Sequence, residues 1–318
     1  MAQRLNSQTT ATSAEHAAAH ARHVAPGATP PQVASASRGA ETAAHATSIA
    51  AAPSALERRP TPTLQLDFAR LAAAGFVTPN HESSQLGEEI RIIKRPLLLK
   101  AFPDGGPPSH NSNLIMVTSA QPDEGKTFIA LNLALSLALE RNIHVLLIDT
   151  DFQNPTVQGH LGFTAKRGLI DVLLDPSLDV ADVMHRTNIG NLVVIAAGTP
   201  HPHATELLAS ARMAELLGEI AHRYPDRVVM FDSPPLLAAS APSVLALHVG
   251  QIVFVVEADS TSRRAVDEAL TFVAECPSVS IVLNKRQHWP GSKQFGGYYG
   301  YGSYGSSSDA DRDPAASR

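Results

Sequence analysis

The chain has one cysteine and one tryptophan in 318 residues. The lone thiol, Cys276, has no internal disulfide partner, which suits a reducing compartment. It also makes a poor nucleophile. It stands late in a helical pattern directly before Pro277, where a small core residue fits better. No apolar run approaches the roughly 20 residues of a membrane helix. The longest, Phe128 to Leu139, is interrupted by Asn132 and Ser136. There is no basic excess either: 25 Lys and Arg face 30 Asp and Glu, a net charge of −5. That excludes bulk nucleic-acid affinity, so no nucleic-acid partner is expected.

Residues 1–62 have no aromatic and few branched apolar side chains and are rich in Ala, His, Ser, Thr and Pro. Such a segment cannot offset its ordering entropy and is expected to be disordered. His16, His20, His23 and His45 lie there at spacings that fit no compact metal site. Several arginines and few acids give it a faint transit-peptide character, but no apolar core region marks a secretory signal.

What is present lies in the middle. Leu114–Val117, Val145–Ile148, Leu192–Ile195, Val228–Phe231, Ile252–Val256 and Val279–Leu283 are apolar runs without polar alternation, the mark of strands buried on both faces. Helical patterns at Phe128–Arg141, Glu206–Arg223 and Arg263–Glu275 alternate with them. The expected class is α/β, a mostly parallel sheet flanked by helices, over residues 109–290. Residues 63–108 form a helical extension, with segments at Leu64–Phe76 and Ser84–Phe102 expected to pack on that domain. Residues 291–318 form a tail. Its Gly-rich stretch holds Tyr298, Tyr299, Tyr301 and Tyr304, four of the chain's five tyrosines. That composition cannot bury aromatic rings, so it presents phenols on a flexible leash. Alone, the tail would read equally as a low-complexity segment with no chemistry.

Gln121, Pro122, Asp123, Glu124, Gly125, Lys126 and Thr127 lie between the first strand and a helix. A phosphate-binding loop needs that context. Backbone N–H groups and a helix N-terminus hold phosphate oxygens, a lysine neutralises the β- and γ-phosphates, and a hydroxyl ligates Mg²⁺. Ala120 stands where the general pattern has its first glycine. Two strands end in acids, Asp149-Thr-Asp151 and Asp232-Ser-Pro-Pro235. In a parallel sheet these ends converge on the ligand edge. One acid at a strand end could be a helix cap. Three, on two strands, behind a phosphate loop point to phosphoryl transfer, which needs metal ligands and a base. A phenol with a pKa near 10 needs that base at neutral pH.

On these residues the chain resembles the bacterial tyrosine kinases of exopolysaccharide synthesis, and among them most the exosortase-associated tyrosine autokinases. Ala120 to Thr127 resembles the family's Walker A, Leu146 to Asp151 its Walker A′, and Val229 to Pro235 its Walker B. Ala197-Gly198 and Glu206 to Ser210 are also similar, and the tail is like the family's tyrosine cluster. The resemblance spans roughly residues 64–304 and implies an ATP- and Mg²⁺-dependent autokinase with the tail tyrosines as acceptors. It gives Lys126 and Thr127 to nucleotide and Mg²⁺. Asp149 and Asp151 go to metal coordination and tyrosine deprotonation, with Asp149 read as the base, and Asp232 goes to Mg²⁺. Asn284, after the last strand, either contacts the ATP base or closes a turn. Glu88, Arg91 and Lys94 share one helical face, which suits an intrahelical pair or, as the resemblance implies, a contact that closes a homo-oligomeric ring. The resemblance also implies a membrane-embedded polysaccharide co-polymerase on a separate chain, and a place at the cytoplasmic face of the inner membrane. Gln153 departs from the family, which often has arginine there. Two alternatives are a partitioning-type ATPase of the MinD and ParA kind and a nucleotide-gated regulatory module without kinase activity. The first normally carries lysine where this chain has Gln121.

Overall fold

The computed structural model describes residues 63–79, 84–103, 108 and 111–286. Residues 1–62 and the four tail tyrosines lie outside these.

Seven strands form one sheet: β1 (Leu114–Ser119), β2 (His144–Asp149), β3 (Met184–Arg186), β4 (Leu192–Ile195), β5 (Arg227–Asp232), β6 (Gln251–Glu257) and β7 (Val279–Asn284). Their order across the sheet is β3-β4-β2-β5-β1-β6-β7. Only the short edge strand β3 runs antiparallel; every other pairing is parallel. All six residues of β1 and of β5 are buried, as the unbroken apolar runs require. One core lies on each face. Alternate residues serve the two: Met116, Ile148 and Phe231 on one side, and Val117, Leu147 and Met230 on the other. The sheet is therefore covered by helices on both sides, except at the edge strand β7, where Ile281 and Leu283 are exposed although the apolar run predicted burial on both faces; an edge strand has neighbours on one side only.

Helix α3 (Lys126–Ala138) follows β1 and is apolar nearly all round. Only an interior helix can be so, and eleven of its residues are buried. Helices α1 (Phe68–Ala73) and α2 (Gln85–Ala101) are the two segments of the extension, each shorter than its sequence pattern. Ser84 caps the start of α2 by accepting from the Gly87 N–H, and Asp67 caps the start of α1 in the same way at Arg70. Leu66, Leu71, Phe76, Ile90 and Leu97 are buried in the core that holds α3. The two polar residues that interrupt α3 are part of the dock. Asn132 accepts from the Val77 N–H at 2.8 Å, and the Ser136 carbonyl accepts from Lys94 at 2.9 Å.

Helices α4 (Val157–Leu161) and α5 (Leu169–Leu174) follow β2. The helix expected over Glu206–Arg223 is two: α6 (Ala204–Leu208) and α7 (Ala211–Arg223). Ser210 makes the break. Its hydroxyl donates back to the Leu207 carbonyl and accepts from the Met213 N–H, closing one helix and capping the next. Helices α8 (Ala241–Ala246) and α9 (Arg263–Thr271) are the last among the described residues, and α9 ends before the expected Glu275. Cys276 falls in the following turn, buried, with its thiol pKa raised by that burial, so its surroundings suit packing better than nucleophilic attack.

Candidate active site

The phosphate loop leaves β1 and enters α3 through Gly125, whose φ of 92° lies in the left-handed region. Asp123 also takes a positive φ, 64°. Two left-handed residues within three turn the chain sharply into the helix N-terminus, where free N–H groups collect. Glu124 is 2% exposed and turned into the protein. Its carboxylate accepts from the Gln121 N–H at 2.7 Å and from the Thr261 hydroxyl, bracing the loop from behind. Its side chain is thus committed, and only its backbone remains for a phosphate. From the far side, Asn284 donates to the Glu124 carbonyl at 2.9 Å, and Lys285 donates to the Asp123 carbonyl at 2.5 Å.

Helix α3 begins with the two residues expected to meet nucleotide and metal. Lys126 is ion-paired to Asp151 at 2.9 Å, both largely buried. The Thr127 hydroxyl donates to Asp232 at 2.7 Å. It also accepts from Thr156 at 3.3 Å, a residue no sequence signal marks. Sheet register explains why the acids meet the loop. Asp149 ends β2 and Asp232 ends β5, and the two pair directly across neighbouring strands. Strand β5 lies beside β1, so its end faces the start of α3.

The two strand-end acids are fully buried. Burial, with a smaller push from Asp232, holds the Asp149 carboxyl well above the usual carboxylate range. Burial also raises Asp232, to about 7, against the opposing Thr127 hydrogen bond and the Lys126 charge. The Asp149 oxygens accept from the Asp151 and Val157 N–H groups at 3.1 and 3.3 Å. Asp232 has one oxygen on Thr127 and the other, Oδ1, without a partner. The neighbouring Ser233 hydroxyl is also buried and unpartnered.

These features fit Mg²⁺. An orphaned buried carboxylate oxygen stands beside a threonine hydroxyl, and three carboxylates share the site with Lys126. Among the described residues no three acidic, histidine or cysteine side chains come close enough to cage a metal.

The oligomer residues divide. Glu88 and Arg91 pair with each other on an exposed stretch of α2. Lys94, expected on the same outward face, is 6% exposed and points inward to the Ser136 carbonyl and to Glu140 at 2.8 Å. A shared helical face does not decide what packs over its far end; α3 covers Lys94 and leaves Arg91 outside. Gln153, in the family's arginine position, is exposed and donates to Thr205.

Residues 112–279 match the AAA domain family AAA_31. Over 188 residues the chain is 34% identical to the tyrosine-protein kinase YwqD of Bacillus subtilis, covering 58% of this chain and 77% of that one. It is 30% identical to the tyrosine-protein kinase wzc of Salmonella typhimurium over 60% of its own length, but spans only 26% of that longer protein. Among solved structures, the kinase domain of VpsO is similar at 27% identity and a TM-score of 0.55, covering 66% of this chain and all of that one. The kinase domain of the Escherichia coli tyrosine kinase ETK is similar at 25% identity and a TM-score of 0.53, covering 64% and 78%. A phosphate loop backed by two acidic strand ends, together with these relatives, places the chain in the bacterial tyrosine-protein kinase family of P-loop proteins.

Proposed function

We propose that the chain is an ATP- and Mg²⁺-dependent autokinase that phosphorylates Tyr298, Tyr299, Tyr301 and Tyr304, each on the tail of a neighbouring copy. The observation that carries this reading is the meeting of Lys126, Thr127, Asp149, Asp151 and Asp232 at one sheet edge, in a chain that also carries a tyrosine cluster. Mg²⁺, when bound, neutralises charge on the β- and γ-phosphates; Thr127 and Asp232 would hold it. Lys126 exchanges Asp151 for phosphate oxygens. Either Asp149 or Asp151 takes the phenol proton as the tyrosine oxygen attacks the γ-phosphorus; the bond from that phosphorus to the β–γ bridging oxygen breaks and ADP leaves. The segment from Lys285 to Tyr298 reaches about 40 Å when extended, enough to enter another subunit's site.

The pair Glu88 and Arg91 is the surface proposed for contact between copies, in a ring. Lys94 is proposed to support that face by docking α2. Each phosphotyrosine adds about −1.5 to −2 charges. Four on one tail would oppose its re-entry into a site lined with carboxylates and favour release of the ring. Exopolysaccharide export and chain length are the process proposed to be regulated. The partner would be a membrane-embedded polysaccharide co-polymerase on a separate chain, at the cytoplasmic face of the inner membrane. Among the described residues no helix is long and apolar enough to cross a membrane.

The test is labelling with γ-labelled ATP and Mg²⁺, followed by mapping of the modified residues. Label is expected on the four tail tyrosines, with Lys126→Met reducing it about 100-fold or more. Replacing all four by Phe should remove most of it. ATP hydrolysis with no label on tyrosine would defeat the kinase reading in favour of a partitioning-type ATPase or a regulatory module.

A further inference from the structure

Strand β7 ends against the back of the phosphate loop. Asn284, its last residue, donates its side-chain amide to the Glu124 carbonyl at 2.9 Å. Lys285, the next residue, has a φ of 54° and donates to the Asp123 carbonyl at 2.5 Å. The same ammonium pairs with Glu257, at the end of β6, at 3.1 Å. The Asn284 carbonyl accepts from the Ala258 N–H, tying β7 to the turn that carries Thr261. Thr261 in turn donates to the Glu124 carboxylate. The packing is close as well. A Cβ built on Gly125 would lie 2.1 Å from the Asn284 amide nitrogen. Two consecutive carbonyls of the loop, Asp123 and Glu124, are thus held from outside by two consecutive residues more than 150 positions away.

A phosphate loop works by turning its N–H groups inward, which turns carbonyls outward. Those carbonyls need donors, or the loop must be ordered when phosphate arrives and the entropy is charged to binding. We infer that Asn284 and Lys285 form a latch that pre-orders the loop for phosphate. They are positioning residues, acting through Asp123 and Glu124, and their contribution goes to the phosphates and not to the nucleotide base. This inference rests on the nucleotide-binding part of the proposed function, not on transfer to tyrosine.

The experiment measures equilibrium binding of a fluorescent ATP analogue with Mg²⁺ to the full chain, and its displacement by ATP and by inorganic triphosphate, which has no base. Asn284→Ala and Lys285→Met should each weaken both competitors by the same factor, about tenfold. Lys285→Arg, which keeps a cationic donor, should recover most of the loss, while the melting temperature without nucleotide stays near that of the unaltered chain. Three results would overturn the latch: unchanged affinity in both variants; loss for ATP but not for triphosphate, which would make Asn284 a base contact; or weakened binding that tracks lost melting temperature and that arginine does not recover. If the unaltered chain binds nucleotide but labels no tyrosine, the kinase reading falls and the latch is still tested by the same binding data.

Discussion

Asp149 and Asp232 end neighbouring strands, pair in register, and are both shut off from solvent. They differ in what surrounds them. Asp149 has a backbone N–H on each oxygen, from Asp151 and from Val157, and so pins the loop between β2 and α4. Asp232 has a hydroxyl on one oxygen and nothing on the other. A buried acceptor without a partner costs free energy that a fully paired one does not. The contrast separates an acid that also organises structure from one with an acceptor oxygen that the fold does not use. It predicts that altering the two will harm different properties.

The largest expected effect is on turnover. Asp232→Asn should lower tyrosine labelling about 100-fold or more, the usual scale for removing one electrostatic partner of the transition state. The same variant should leave the nucleotide-free fold intact or firmer, because a neutral amide suits a buried site better than a carboxylate. Labelling assays beside thermal melting would check both halves. A variant that loses melting temperature as steeply as it loses activity would erase the distinction from Asp149.

Much of this site is legible in the sequence, and the reason is local. Lys126 and Thr127 follow their strand by a few residues, and each acid sits where an apolar run stops, so strand ends announce them. Contacts made across long separations have no such signal. Thr156 reaches Thr127 across 29 positions, and Asn284 reaches Glu124 across 160. Lys94 shows the same limit: spacing assigns it a face, but only packing reveals that Ser136, 42 residues on, takes its ammonium. The break at Ser210 does leave a sign in the sequence: at about 100° per residue, Leu207 and Leu208 would lie on the opposite side of a continuous helix from Met213, Leu216, Leu217 and Ile220, a change of phase that a count of apolar residues passes over.

The next effect falls on stability. Asp149→Ala strips two buried N–H groups of their acceptor and should cost about 2 kcal/mol, since each orphaned donor costs about 1–3 kcal/mol and removal of the desolvated carboxylate returns part. Asp149→Asn keeps one acceptor oxygen and should cost roughly half of that. Chemical denaturation at fixed pH gives the values. If Asp149→Ala were no less stable than Asp232→Ala, the satisfied acid would have no special hold on its loop.

Acidity gives a subtler test on the protein freed of metal and nucleotide. An unfolded Asp232 loses its proton near 3.8, whereas the folded one keeps it to about 7. Between those values the folded state binds more protons than the unfolded, so stability falls as pH rises, by up to about 1.4 kcal/mol per unit, and levels off above about 7. Asp149 shifts in the same direction. Melting temperature in chelator should therefore decline from pH 5 to 7.5, and Asp232→Asn should flatten the decline. An equal slope in the variant would mean that Asp232 is already ionised in the empty site.

The smallest effect should come from a buried charge that, like Asp149, has two partners. Lys94 is sequestered between α2 and α3, with the Ser136 carbonyl and the Glu140 carboxylate as partners. If having two buried partners alone made a group structurally important, Lys94→Met would cost as much as Asp149→Ala. It should cost under about 1 kcal/mol instead, because methionine fills a similar volume, a buried ion pair is often replaceable by apolar groups, and Glu140 is half-exposed and returns to water. Glu140→Ala should cost more than Lys94→Met, since it leaves a buried ammonium with only a carbonyl to face it. Denaturation of the two variants reads the order directly. The reverse order would show that the contacts of the residue removed, not the state of the partner left behind, decide which residue of such a pair the fold can lose.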